Sequence, residues 1–504
     1  MDTILLLHAR NTITRRTNRL EQQLLFTMLV ENLAWDKWAE VHWAGEDRVW
    51  HTVRASCQGP AGGNREIWRA QATFHPSDDV SLPGDVEFAL RCRMLGREHW
   101  DNNRSRNYAL NADSGVLLEA SAQLAHVDFS PVLDPGSRTH PVTVAVRSSL
   151  RPRRVSVHWS TDGWRSAHVT PCQFQRQHWD RQRRRSSARN PNRYDTGIWA
   201  CQMRVDDAYR VEYAIACEAA DGTFWDNNFG DNYHARRRRL KILTLNLHCY
   251  QEEDQDAKFS RIAQAIDDLD IDVVCLQEVG ELWCDGNGDW NSNAARIIRD
   301  RLRRHYHLRA DWSHLGFERY REGIAILSRH GFLATDAGYV SPGQDPHSID
   351  SRKVVMVRLD VPYLGIVNVF SVHLSWLSGG FLGQFERLRA WASEQHAAAA
   401  GATFLCGDFN IEAGSEGYRA VVRTQEYEDQ FLAVTAPNLF HRVFRGPSPP
   451  GEVAFPHDGR IDYVMMHRQS PLVAIAARTL FTDDDPYGRV SDHVGYCVEF
   501  EPGA

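Results

Sequence analysis

Apolar and polar positions along the chain follow two regimes that meet near residue 240. Before it, apolar and polar residues alternate over short stretches broken by Gly, Asp and Pro, as in 84–90 and 209–215. Successive side chains of a strand point to opposite faces, so this alternation predicts half-buried β-strands. After it, unbroken apolar runs stop abruptly at polar residues. The run 240–246 ends in Asn246, 271–278 in Glu278, 365–373 in His373, and 403–410 in Gly407-Asp408-Phe409-Asn410. Between the first two runs, 256–269 places apolar residues at 259, 262, 266 and 269, the stripe of a helix. The run 460–466 carries Asp462, and Ser491-Asp492-His493 precedes a last run, 494–500. Open α/β sheets place ligands outside the carboxyl ends of buried strands, which is where these polar residues fall.

The alternating half repeats itself. Val41-His42-Trp43 recurs as Val157-His158-Trp159 and Ile67-Trp68 as Ile198-Trp199. Phe88, Cys92, Trp100-Asp101-Asn102-Asn103 and Asn107-Tyr108 recur as Tyr213, Cys217, Trp225-Asp226-Asn227-Asn228 and Asn232-Tyr233, with 12 residues to the Trp and 8 more to the Tyr in both copies. Each copy reads as an all-β sandwich of about 100 residues. Asp and Asn offer donors and acceptors matched to sugar hydroxyls, and Trp and Tyr faces stack on a pyranose. Equally, the motif reads as an Asx-turn between strands with its aromatics in the core. The expected domains are 1–130, 131–237 and 238–504, with 131–141 as the joint between the copies. Arg236 to Arg239 reads as an exposed linker, and the arginine-rich stretch 176–193 as a solvated loop.

Composition bounds the functions. The chain has 504 residues, 42% hydrophobic and 24% charged, which describes a multidomain globular protein. Residues 1–239 carry 33 basic and 28 acidic side chains, and 240–504 carry 25 and 37. An acidic second half argues against tight non-specific nucleic-acid binding and fits a bound cation or a small substrate. No apolar run approaches the roughly 18 residues of a membrane span, and the start lacks a signal-peptide pattern. Ten scattered cysteines form no C-x-x-C pair, so reduced thiols and a cytoplasmic location are expected.

The strand-end residues suit phosphate-ester hydrolysis. Asp408 and Asn410 are two residues apart on one strand and face the same way, although Asp and Asn after a strand also form turns. Asn246 and Glu278 supply oxygen ligands for a hard cation.

Two resemblances extend this reading. Residues 30–43, the turn at Asp162-Gly163-Trp164 and the two Trp-Asp-Asn-Asn motifs resemble carbohydrate-binding module family 21, the starch- and glycogen-binding module. The resemblance implies a glucan partner, with Trp100, Asp101, Asn103, Asn107 and Tyr108 as ligands in the first copy and Trp225, Asp226, Asn228, Asn232 and Tyr233 in the second. The first copy has Arg104-Ser105-Arg106 where a Gly-containing turn is usual. From 240 to 501 the ordered set Asn246, Glu278, Gly323 to Ser328, His373, Asp408, Asn410, Asp462, Asp492 and His493 resembles the endonuclease/exonuclease/phosphatase superfamily. That superfamily implies an α/β four-layer sandwich and hydrolysis of phosphate mono- or diesters with Mg²⁺, or Mn²⁺. By this resemblance Glu278, Asn246 and Asp492 hold the metal, and Asp408 and Asn410 orient water and phosphate. His373 hydrogen-bonds a phosphoryl oxygen, Asp462 orients His493, and either His493 or Asp408 is the general base. Arg352 is a candidate phosphate contact. His248 stands where many members have Asn, Gln or Asp, and no Trp flanks Arg460-Ile461-Asp462 as in abasic-site nucleases. The expected function is a Mg²⁺-dependent phosphoesterase held on glucan by two modules. A nuclease acting on DNA or RNA and an inactive polysaccharide-binding protein are the alternatives.

Overall fold

The computed structural model describes residues 3–16, 19–77, 81–177, 192–249, 251–284, 286–316, 318–398, 401–446 and 459–503. The arginine-rich stretch lies for the most part outside the described residues. The chain divides into two units, Met1–Arg238 and Arg239–Ala504. The first unit is all-β and the second α/β.

In the first unit, strands from Ile4–Arg16 to Val116–Leu118 form a nine-stranded ribbon. The strand Trp50–Ala61 joins its halves: its start pairs with Lys37–Ala44 and its end with Arg65–Phe74. The ribbon folds over one core, in which Ile4, Leu6, Phe26 and Met28 from one half meet Val41, Phe88 and Leu90 from the other. The second copy splits into two sheets, of four and five strands.

The two copies are not joined by a free linker. Leu124–His126 pairs with Thr139–Arg147, so the second module begins before residue 131. The segment expected as the joint lies inside that module, where Arg236 N donates to Pro131 O at 3.0 Å. The arginine run is not an exposed linker throughout either. Arg237 is buried, and its guanidinium donates to the carbonyls of Asp134, Ser137, Asp206 and Ala208. A guanidinium carries five donors in a fixed fork, which suits it to gather carbonyls that irregular loops leave unpaired.

The strand Arg19–Glu31 shows why the modules pack together. Its run Leu24 to Val30 is broken only by Thr27, where one-sided burial would alternate. Leu24, Phe26, Met28 and Val30 face their own core. Leu29 on the other face joins Ile67, Ala61 and the second module's Val142, Val144 and Met203 in one cluster.

In the second unit the Leu240–Asn246 and Val273–Cys284 strands form a parallel pair at the centre of one sheet, and Gly365–His373 and Ala402–Asp408 a parallel pair in the other. Helix Gln255–Asp268 packs on Leu243, Leu245, Val274 and Leu276, and helix Phe381–Ala398 on Phe370, Val372 and Leu405. The opposite faces carry contacts between the sheets: the Phe404 and Phe500 rings lie 4.8 Å apart, and Gln277 Nε2 donates to Ser371 Oγ at 3.1 Å. Among the described residues no helix is long and apolar enough to cross a membrane.

If the front modules share one core, Leu29→Ala destabilises them together. In a fragment spanning 1–238, urea denaturation followed by circular dichroism is expected to show one transition, shifted by about 2–5 kcal/mol.

Candidate active site

Strand register assembles the site. His373, Asp408 and Asp462 lie side by side on three neighbouring strands: His373 pairs with Asp408 across the parallel ladder, and Asp408 with Asp462 across the antiparallel one. In the other sheet Asn246 pairs with Gln277 at the same kind of strand end. A bulge then interrupts the pairing with Tyr320–Ser328 between Leu276 and Val279, and bulges re-aim side chains. Glu278 sits in this bulge with φ +47, and Asn410 and His248 also adopt left-handed backbone, φ +52 and +45. Non-glycine residues with such dihedrals cluster at functional sites. Gly407 is obligatory, because a Cβ there would lie 1.9 Å from Val372 O.

Asn246 Nδ2 donates to Glu278 Oε1 at 2.8 Å and to Asp408 Oδ2 at 3.1 Å. Its Oδ1 accepts from His248 N at 3.0 Å. Asp408 Oδ1 accepts from Asn410 N at 2.8 Å, while Asn410 Nδ2 holds Leu374 O at 2.8 Å. His493 Nδ1 binds Asp462 Oδ2 at 2.7 Å, which leaves Nε2 facing Asp408 Oδ2 at 3.9 Å. His373 Nε2 lies 3.7 Å from Asp408 Oδ2 and 3.9 Å from Glu278 Oε1.

Electrostatics separates the two histidines. Burial, with the charge of Arg352 next, holds His373 well below its ordinary pKa, so it is neutral. Burial would also depress His493, but the hydrogen bond and charge of Asp462, with Asp408 and Asp492, carry it up to about 9. Burial, then the charge of Asp462, pushes the Asp408 carboxyl up to about 8. Groups whose pKa values are driven apart in one pocket mark acid–base roles.

Among the described residues three sets of ligand atoms lie within 4.8 Å of one another: Glu278, His373 and Asp408; Asp408, Asp462 and His493; and His248, Glu252 and Asp492. The first two share Asp408. Asp492, 57% exposed at its side chain, groups with His248, 3.5 Å away, rather than with Glu278. The carboxylates of Glu278 and Asp408 suit a hard divalent cation, while Asn246 turns its Nδ2 to them and its Oδ1 to His248 N; Asp462 Oδ1 is buried with no hydrogen-bond partner among the described residues. Arg352 donates to Ile349 O at 2.9 Å and acts on this site through its charge.

Sequence reasoning did not pick out Glu252, Glu322 or His314. Burial, then the charge of Glu278, raises Glu322 to about 7, and His314 Nε2 lies 3.5 Å from its carboxylate. Glu322 directly precedes the matching run at Gly323, the one signal that pointed toward it.

In the first unit both motif copies build the same loop. Asp101 accepts from Tyr108 Oη at 2.8 Å and Leu6 N at 2.9 Å; Asp226 accepts from Tyr233 Oη at 2.9 Å and His126 N at 3.0 Å. Asn103 Nδ2 holds Asn107 O at 2.9 Å, and Asn228 Nδ2 holds Asn232 O at 2.7 Å. Asn107 and Asn232 each reach a glutamate, Glu87 and Glu212, at 2.6 Å. All four Asn have positive φ, which Asn tolerates better than most residues. The polar side chains of the motif therefore hold the loop, as the Asx-turn reading has it. Trp100 and Trp225 are left about half exposed, each with its ring 5.0 Å from a histidine, His42 or His158.

Residues 243–493 match the endonuclease/exonuclease/phosphatase family, and 139–236 match the carbohydrate/starch-binding module, family 21. The chain carries a domain of each family. Protein phosphatase 1 regulatory subunit 3E of Mus musculus is 37% identical over 81 residues, 16% of this chain and 28% of that protein. Glucoamylase 1 of Rhizopus oryzae is 28% identical over 125 residues, 24% and 19% of the two chains. The chain thus spans under a third of the length of these curated relatives. Among solved structures, an endonuclease/exonuclease/phosphatase family protein from Leptotrichia buccalis is 23% identical with TM-score 0.43, covering 52% of this chain and 99% of that one. A mannosyl-6-phosphatase from Bacteroides thetaiotaomicron is 14% identical with TM-score 0.37, covering 52% and 99%. Members of the endonuclease/exonuclease/phosphatase family hydrolyse phosphate esters.

Asp462→Asn removes the charge that raises His493 and leaves the burial that lowers it. The His493 titration midpoint, followed by NMR of the ring protons, is expected to fall from about 9 toward or below the ordinary value.

Proposed function

We propose that the chain is a divalent-metal-dependent phosphoesterase that its front unit holds on glucan. The observation that carries the reading is the sharing of Asp408 between two clusters, one with Glu278 and His373 and one with Asp462 and His493. Mg²⁺ or Mn²⁺ would be held by Glu278, beside Asn246, and when bound would supply positive charge to phosphoryl oxygens.

The protein's own groups divide the remaining work. Asp408, fixed by Asn410 N–H and Asn246 Nδ2, aims the attacking water and in its ionised form receives a proton from it. With His493 raised to about 9, its imidazolium faces the phosphate at neutral pH and stabilises charge there, held in orientation by Asp462. Of the two candidate bases, this favours Asp408. Neutral His373 donates a hydrogen bond to a phosphoryl or leaving oxygen, and Arg352 adds positive charge.

In the front unit Trp100 and Trp225 offer stacking faces for pyranose rings. Two weak sites on one chain act by effective concentration. The front modules therefore raise the local concentration of a glucan-borne or glucan-associated phosphate ester.

Asp408→Ala and His493→Ala are each expected to lower kcat on an aryl phosphodiester on the order of 10³-fold. EDTA should abolish activity in the wild type, and co-sedimentation with insoluble starch should survive both substitutions. Full EDTA-sensitive activity in Asp408→Ala would refute the assignment. As pH rises through about 8 Asp408 ionises and the rate is expected to rise; through about 9 His493 loses its positive charge and the rate is expected to fall, so the profile is a narrow bell. A panel of phosphorylated glucan, inositol phosphate, phospholipid, DNA and RNA then names the substrate, and preference for a nucleic acid would replace this reading with that of a nuclease.

A further inference from the structure

The first unit contains a cavity of about 420 Å³ where its two modules meet, a size in the range of small-ligand pockets. Leu5, Leu7, His8 and Thr27 of the first module line one side, and Trp225 and Asn227 of the second line the other. His8 is there because the strand slips. Strict alternation would place it with Ile4 and Leu6 in its own module's core. The pairing with Arg19–Glu31 shifts register between Leu6 and His8, so Ala9 takes the core position and His8 joins Leu5 and Leu7 on the outer face.

His8 is 1% exposed and Thr27 3%. Among the described residues Oγ1 of Thr27 has no hydrogen-bond partner, and the ring of His8 makes none of good geometry, one side of it facing the His126 backbone. Buried polar groups are rarely left so, and these line one cavity. Burial, then Arg69 and Arg10, keeps His8 uncharged. Its ring thus keeps an acceptor nitrogen for a ligand while the N–H faces the His126 carbonyl, and Thr27 offers both roles. Nearby carboxylates are engaged elsewhere: Asp226 by Tyr233 and His126, Glu119 by Ser121. Trp225, 52% exposed, adds an aromatic face. Neutral donor–acceptor groups beside an aromatic face match a hydroxyl-bearing ring.

The second module's motif loop is latched to the first. Asn228 Nδ2 donates to Pro60 O and Gly62 N to Asn228 O, both at 3.0 Å. The Arg65 guanidinium lies over the Phe229 ring, 4.5 Å from its centre. A Cβ on Gly62 would fall 2.1 Å from Phe229 O, so the approach requires glycine.

We propose that this junction cavity binds a short, uncharged gluco-oligosaccharide, and that neither module forms the site alone. The proposal rests on the carbohydrate-binding reading and adds a site that a single module lacks. Hydrogen–deuterium exchange of the full chain with and without maltotriose tests it. The expected result is protection of segments 5–8 and 224–229, lost in His8→Phe and weakened at least tenfold in apparent affinity in Thr27→Val. The latter keeps the shape and removes only the hydroxyl. If Thr27→Val and His8→Phe leave protection intact, or if it is absent while the chain still sediments with starch, the junction site is overturned and the targeting reading stands. If neither protection nor sedimentation occurs, the carbohydrate reading fails and the junction site with it.

Discussion

A carboxylate buried where two strand ladders meet is the constraint on which the catalytic unit depends. Asp408 is 1% exposed and directly beside Asp462 in the antiparallel register. Two acids at that distance from water are costly unless opposite charge and donors compensate. The surroundings of Asp408 read as that compensation: the Asn410 amide, the Asn246 side chain and the His493 imidazolium. The same burial, with the charge of Asp462, raises the carboxyl to about 8, so a proton-accepting role belongs to its ionised form. Gly407 belongs to the same constraint, since only a residue without Cβ lets the strand end lie against Val372.

The parts of this site that the sequence displayed were those set by strand chemistry. A buried strand is an apolar run, and a functional side chain at its end interrupts that run, so Asn246, Glu278, His373 and Asp408 stood out. What periodicity does not encode is register and rotamer. The bulge at Gln277-Glu278 and the turning of the Asn246 amide toward Glu278 and Asp408 depend on neighbours distant in sequence. So does the placement of Asp492 with His248 and Glu252. Glu322 and His314 stayed hidden for a related reason: their strands carry polar residues that look ordinary in sequence, and only folding brings Glu322 near Glu278 and His314 to Glu322. The first module's two-sided burial was visible as the run Leu24 to Val30, but its meaning was not, because the surface that covers it comes from the second copy.

The repeated loop shows local sequence and context acting separately. Asp, Asn and Tyr at fixed spacing make the same hydrogen bonds twice, 125 residues apart, so the loop is a local product of its motif. Its use differs because of one neighbour. In the second copy Phe229 lies against Arg65 and Asn228 binds Pro60, which turns the loop into part of an intermodule junction. Duplication thus supplied two loops with the same hydrogen bonds, and Phe229 in place of Arg104, with the packing around it, made them unequal.

The claim that this strand-end cluster is a metal-dependent phosphoester site is tested most directly by titrating Mn²⁺ into wild type and Glu278→Gln and following binding by isothermal calorimetry. The expected result is a site in the wild type that is lost in Glu278→Gln, with circular dichroism unchanged. Equal Mn²⁺ binding by both proteins, or none by the wild type, would contradict it.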